Sequence, residues 1–356
     1  MGLVRPLVEQ DLPAVAALHQ HVFGRSLPGS AAYLKQLVFE SPWHDAELPS
    51  LVYEDERGRL MGCLGVMPRK MALGGRGIRA AVGYHFMVDR SVRHTLAGVE
   101  LARQFFCGPQ HLALAEGNEF SRRIWELCGG RVSHFYSLCW TRPLRPARYA
   151  LSVLRRRGLS PALACALKPV CTLADSVAGY LPQRPFRFPP PATRAEDLDT
   201  TTLLGCLSTL ASRRALRPVY DGRSLEWLLR VLAHKRHRGR LQKVAVHAGN
   251  GRLLGWYLYY LGRSGIAEVV QVGGHEEAIG EVLDHLFYDA WQRGASAASG
   301  LIDAALFQPL SHRGCIFHRP AASWMLVHTR DQRILDAIHA GDIFLTRMEG
   351  EWWIAS

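Results

Sequence analysis

The stretch Tyr84-His85-Phe86-Met87-Val88-Asp89-Arg90-Ser91-Val92-Arg93-His94-Thr95-Leu96-Ala97-Gly98 decides the reading of this chain. It closes the largely apolar run Ile78–Val88, which predicts a central strand, and it opens the helical pattern Thr95–Phe106. Upstream, Leu3–Pro6 reads as a strand and the residues from Glu9 to Phe23 as a helix. Asp11 is a candidate N-cap there, Pro13 suits the first turn, and Leu12, Val15, Leu18 and Val22 share one face. Ser50–Glu54 and Leu60–Met67 pair around the turn Asp55-Glu56-Arg57-Gly58. Downstream, Leu112–Ala115 is a short strand, Asn118–Cys128 a helix ended by Gly129-Gly130, and Val132–Thr141 a further strand. Strands and helices interleave throughout, so the fold class is α+β on a mixed sheet.

The chain has 356 residues, 43 Lys and Arg against 31 Asp and Glu, and a formal charge of +12. That length predicts two domains, and 48% hydrophobic residues excludes collagen, a long coiled coil and wholesale disorder. Met1 to Gln10 carries no apolar run of the secretory kind. Eight scattered cysteines without a CxxC pair read as reduced thiols of a cytoplasmic protein. His318, His328 and His339 lack ligand spacing, so no metal is expected. The positive charge clusters at Arg142–Arg148, Arg155–Arg157, Arg213–Arg217 and Lys235–Arg240. No zinc finger, RNP motif or KH loop accompanies it, so nucleic acid is not the expected partner.

Residues 148–181 form two apolar helical stretches, broken near Gly158–Pro161 and at Lys168-Pro169. They are too interrupted for a membrane span, and they either pack between domains or touch a membrane surface from the cytoplasmic side. Pro182 to Ala192 reads as a stiff, extended linker. Beyond it the element order of the first block returns. Lys243–His247 pairs with Leu253–Tyr260, Ile266–Val272 follows as a strand, Glu276–Arg293 as a helix, Ala298–Ile302 as a strand and Asp303–Ser311 as a helix. Gly58-Arg59-Leu60-Met61-Gly62 recurs as Gly251-Arg252-Leu253-Leu254-Gly255. Asn118 precedes Gly129 by 11 residues, as Asp303 precedes Gly314. The echo predicts a duplication: domains over 1–145 and 196–356, joined by a helical, proline-rich linker over 146–195.

On these residues the first block resembles the GNAT superfamily of acyl-CoA-dependent N-acyltransferases, and the whole chain resembles a tandem GNAT protein. The resemblance is carried by the segments from Val4 to Val15, Gly58 to Gly65, Val88 to Leu101 and Asn118 to Gly129. It implies an acyl-CoA donor, most simply acetyl-CoA, and an amine acceptor. An amino sugar of a cell-surface polysaccharide precursor is the acceptor it suggests. Arg93, His94, Thr95 and Gly98 then fall on the pyrophosphate loop, where main-chain donors at a helix start favour anions. Asn118 falls beside the pantetheine, and the N–H groups of Met87 and Val88 on the thioester oxygen. Two positions depart from the family: Leu96 replaces the first loop glycine, and Trp125 replaces a tyrosine able to protonate the thiolate. A leucine at a left-handed position would put its side chain where phosphate approaches.

Amine acylation needs a base for the ammonium proton. His85 titrates in the right range and is the first candidate, with Glu116 at the end of the next strand as a second. The second block has Gly273-Gly274-His275-Glu276-Glu277 where the loop should lie, without an arginine, and is expected to be degenerate. Met348 to Ile354 reads as a turn followed by an aromatic strand. Two other functions fit the residues: a non-catalytic assembly module of the same fold, and a transferase of the peptidoglycan-bridge type that uses charged tRNA.

Overall fold

The computed structural model describes residues 2–24, 30–180, 186, 188–209, 213–320 and 323–354. Of the proline-rich stretch from Pro182 to Ala192, residues 182–185 and 187 lie outside them. The strands are β1 Leu3–Pro6, β2 Leu51–Glu54, β3 Leu60–Leu73, β4 Arg76–Val88, β5 Leu112–Gly117, β6 Arg131–Ser133, β7 Cys139–Pro143, β8 Arg194–Asp197, β9 Leu216–Pro218, β10 Arg240–His247, β11 Leu253–Leu261, β12 Ile266–Gly274, β13 Ala297–Leu301, β14 Ile316–His318 and β15 Trp324–His328. The helices are α1 Leu12–Phe23, α2 Ser30–Val38, α3 Ala97–Phe106, α4 Glu119–Leu127, α5 Pro146–Arg156, α6 Pro161–Tyr180, α7 Thr200–Thr209, α8 Gly222–Ala233, α9 Ile279–Gln292, α10 Phe307–His312 and α11 Gln332–His339.

Two sheets carry the fold. The first runs β1-β2-β3-β4-β5-β15-β6, with β9 on the far end of β3; the second runs β8-β10-β11-β12-β13-β7-β14. Each has one parallel pair at its centre, β4 with β5 and β12 with β13, bridged by a helix, α3 or α9. The two orders superpose element for element, which bears out the tandem reading of the fold. The echoed glycines sit in the same conformation: Gly58 (φ 72°) and Gly251 (φ 85°) close the same hairpin turn, a backbone that L side chains resist.

The boundaries differ from the contiguous spans 1–145 and 196–356. One compact unit holds 1–137, 212–227 and 320–356; the other holds 138–211 and 228–319. The expected single strand Val132–Thr141 is two strands, β6 in the first sheet and β7 in the second, separated by a 3-10 turn at Phe135–Ser137. The first sheet takes β15, from late in the chain, in the place that β7 occupies in the second. No local pattern could show this exchange, because both strands are only five residues long and mostly buried, and either sheet would cover them.

In the first unit, α3 and α4 cover one sheet face with Leu101, Phe105 and Trp125 packed on Leu64, Val66, Ala81 and Leu326. α1 covers the other with Leu12, Val15, Leu18 and Val22 on Val52 and Met87. Asp11 does not cap α1 through its side chain; it binds the Arg5 guanidinium at 2.7 Å and accepts the Val8 N–H at 2.9 Å. In the second unit, α6 runs unbroken through Pro169, contrary to the expected break. It leaves Leu163, Val170, Leu173 and Val177 exposed. No helix among the described residues is long and apolar enough to cross a membrane.

Candidate active site

The site forms where β4 and β5 part. Their parallel pairing ends at Gly83 and Ala115, yet β4 continues to Val88 and β5 to Gly117. A bulge starts the separation. Across β3 the register passes from Gly65–Tyr84 to Cys63–Met87, so His85 and Phe86 together oppose Leu64. His85 has φ 47°, and is the one non-glycine residue with a left-handed backbone among those described. Such a conformation costs roughly 1–2 kcal/mol and persists only where the surroundings impose it.

The C-terminal segment enters this opening. Phe344 to Ile354 is almost wholly buried, and Glu351–Trp353 forms a 3-10 turn rather than the expected strand. Glu351 Oε1 accepts the backbone N–H of His85 at 3.0 Å, on β4. Its Oε2 accepts the N–H of Glu116 at 3.2 Å, on β5. Glu116 in turn accepts the N–H of Trp352 at 3.1 Å. One carboxyl group therefore spans the two parted strands beside a second. Burial, and then the neighbouring Glu116 charge, raise the Glu351 carboxyl to about 8, against the lowering pull of its two N–H donors. Next to it, Glu349 accepts the Tyr220 hydroxyl at 2.6 Å and the Thr346 N–H at 2.7 Å. Tyr220 also receives an Arg69 N–H at 3.2 Å, and the Arg69 guanidinium lies 3.9 Å from the Trp43 ring centre. Arg69 further donates to the Met348 carbonyl. These buried ties fix the path of the chain that delivers Glu351.

The His85 ring packs in an edge contact with His19, centroids 4.9 Å apart, and with Tyr84 at 5.2 Å. Asp89 N–H donates to the Met61 carbonyl on β3 at 2.8 Å. Alternation along the strand then turns Met87 toward β3 as well, and Val88 toward the opening. Of the two expected oxyanion donors, Val88 is the one so placed.

No protein-family model and no curated protein sequence matches the chain. Solved structures do match, over nearly its whole length. A conserved protein of unknown function from Enterococcus faecalis, described as a probable N-acyltransferase, aligns with TM-score 0.62 at 9% identity, over 95% of this chain and 75% of that one. A GCN5-related N-acetyltransferase from Anabaena variabilis aligns with TM-score 0.60 at 11% identity, over 92% of this chain and 72% of that one. The Saccharomyces cerevisiae N-myristoyltransferase with bound myristoyl-CoA aligns with TM-score 0.53 at 13% identity, over 92% and 79%. The chain has the GNAT fold.

Within the GNAT fold the loop after β4 is open rather than plugged. Leu96 is 58% exposed and has φ −80°, ψ 4°, an ordinary backbone for leucine. The loop avoids the left-handed position by coiling through a 3-10 turn, Arg90–Val92, held by Asp89, whose carboxylate accepts the Ser91 N–H at 2.9 Å. Thr95 Oγ1 donates to the Val92 carbonyl at 2.7 Å. The first intrahelical bond of α3 is Glu100 N–H to Leu96, so the N–H groups of Gly98 and Val99 precede the ladder. Arg93 is exposed beside them, its Nε–H donating to the Val88 carbonyl at 3.3 Å; His94 is also exposed. Gly98 has a second reason to be glycine: a Cβ there would stand 2.9 Å from Ile124 Cδ1 on α4.

Asn118 caps α4, its Oδ1 accepting the Ser121 N–H at 3.0 Å. Asp303 caps the corresponding turn of the second unit through Ala305 N–H at 2.8 Å. Trp125 is 1% exposed, edge-on to Phe106 at 4.8 Å, and serves the core. Trp353 is buried against Trp227, centroids 6.0 Å apart. Among the described residues no group of three His, Cys, Asp or Glu is placed to hold a metal. Glu351 is the functional candidate that sequence reading missed. The signal was an acid inside Met348-Glu349-Gly350-Glu351-Trp352-Trp353, where neighbours this apolar withdraw a carboxylate from water.

Proposed function

We propose that this chain transfers an acyl group from acyl-CoA to an amine, with Glu351 rather than His85 as the base. The observation that carries it is the Glu351 carboxyl bridging the parted strands, held by His85 N–H and Glu116 N–H. A base with a pKa of about 8 is suited to take a proton from an ammonium group near neutral pH. The freed amine nitrogen attacks the thioester carbonyl carbon. The carbonyl oxygen gains negative charge facing the Val88 N–H. The C–S bond then breaks, the nitrogen gives up its second proton to the departing thiolate as the amide forms, and the proton taken up by Glu351 is released to solvent. Glu116 keeps a second negative charge beside Glu351 and so raises its basicity. His85 supplies its backbone.

Arg93 and the N–H groups of Gly98 and Val99 would hold the CoA pyrophosphate, and the exposure of Leu96 leaves that approach clear. The two carboxylates would also accept hydrogen bonds from hydroxyl groups, which suits an amino-sugar acceptor. Calorimetric titration with acetyl-CoA and with a long-chain acyl-CoA tests donor binding. Saturable binding that weakens at least tenfold in Arg93→Ala supports the reading, and a folded protein that binds neither donor rejects it. Glucosamine and a short peptide amine are the acceptors to compare.

A further inference from the structure

The second unit holds a cavity of about 770 Å³ that the acyl-transfer reading does not use. Its walls come from α5, α6, the hairpin before β12, and Ser296 just before β13. α5 contributes Arg148, Leu151, Ser152 and Arg155, positions that share one helical face, with Arg156 beside them. α6 contributes Ala164, Lys168 and Thr172, one turn apart. The hairpin before β12 contributes Arg263 to Gly265. Five cations and no carboxylate line it. Among the described residues none of those five cations makes an ion pair. Asp175, the one acid of α5 and α6, is committed elsewhere: its two oxygens accept the N–H groups of Ala147 and Arg148 at 2.8 and 3.1 Å, where they start α5.

Five like charges around one hollow repel one another, and a folded chain gains by placing an anion among them. The hydroxyls add no competing charge. Ser152 Oγ donates to the Tyr149 carbonyl at 2.7 Å and Thr172 Oγ1 to the Lys168 carbonyl at 2.9 Å. Guanidinium forks match phosphate oxygens in pairs, and an ammonium group adds a point charge. The hollow is far larger than one phosphate, and Leu151 and Ala164 give it an apolar wall.

We propose that this cavity is a binding site for an organic polyanion bearing at least two phosphate charges. It lies in the second unit, and none of its lining residues belongs to the acyl-transfer site, so it stands whether or not that reading does. The shared chemistry, clustered phosphate charge, can arrive as a soluble phosphate ester or as the headgroups of an anionic membrane.

The test uses the full chain carrying Arg93→Ala, so that the loop after β4 does not contribute. Inorganic pyrophosphate is titrated by calorimetry, and vesicles of phosphatidylglycerol or of phosphatidylcholine are offered in sedimentation. One equivalent of pyrophosphate per chain is expected, at least tenfold weaker in Arg148→Gln/Lys168→Gln. Loss of two mutually repelling charges should leave the melting temperature unchanged or raise it, which separates lost binding from lost folding. Pyrophosphate binding without vesicle binding assigns a soluble ligand. Sedimentation with phosphatidylglycerol alone, reversed by pyrophosphate, assigns a lipid headgroup. No saturable binding to either probe, or binding that the double variant leaves unchanged, overturns the proposal.

Discussion

Glu116 and Glu351 clasp each other across the gap between β5 and the C-terminal turn: the Glu116 N–H donates to the Glu351 carboxylate at 3.2 Å, and the Glu116 carboxylate accepts the N–H of Trp352 at 3.1 Å. Gly350 makes the approach possible, since a Cβ there would stand 2.7 Å from Glu116 Oε1. Two acids held this close in a buried place cannot both ionise easily. The chain accepts that strain at one point, where the β-sheet opens.

The raised Glu351 carboxyl links stability to pH. Its folded value is about 8 against an ordinary 4.5, so between those limits the folded state holds a proton that the unfolded state has lost. Stability should therefore fall as pH rises from about 4.5 to about 8. Urea midpoints across that range are expected to decline in the wild type and to decline less in Glu351→Gln. A wild-type curve that instead rises over the same window would show the carboxyl to be stabilised in its charged form.

His85 is argued to matter through its backbone. His85→Gly and His85→Ala remove the same ring, but only glycine adopts φ 47° without strain. His85→Gly should be more stable than His85→Ala by about 1 kcal/mol in urea unfolding. His85→Gly should also keep the pH dependence of the reaction, because the N–H that holds Glu351 remains. A reaction that loses its acidic limb in His85→Gly would return the imidazole to the role of base.

The Arg69 network is expected to be structural. Replacing Arg69 with Met leaves Glu349 and the Met348 carbonyl buried without their cation, which should cost roughly 3 kcal/mol in denaturant unfolding. Glu349→Gln keeps acceptor and shape and should cost less. Equal losses in the two variants would mean that the charge itself carries little.

Much of the fold was legible because its signals are local. The apolar run before Asp89, the two Gly-Arg-Leu hairpin turns and the paired caps Asn118 and Asp303 each fix their own element. The loop after β4 was also legible, although Leu96 made it look blocked; only the backbone shows that the leucine sits in an ordinary conformation and points outward. The exchange of β7 and β15 was not legible, because pairing partners far apart in sequence leave no mark on a single strand of about five residues. Glu351 was missed for the same reason. Its chemistry comes from His85 and Glu116, which lie 266 and 235 residues away along the chain. Arg148 and Arg155 read only as members of two basic clusters, and Lys168 as part of a helix break, until two helices bring them to one hollow.

The most direct measurement is the pH dependence of kcat/KM for acetyl transfer, in the wild type and in Glu351→Gln. The wild type should show an acidic limb with a midpoint near 8, and the variant should lose both the limb and about 10²- to 10⁴-fold in rate. A Glu351→Gln enzyme that keeps the wild-type rate and the same limb would contradict the assignment of this carboxyl as the base.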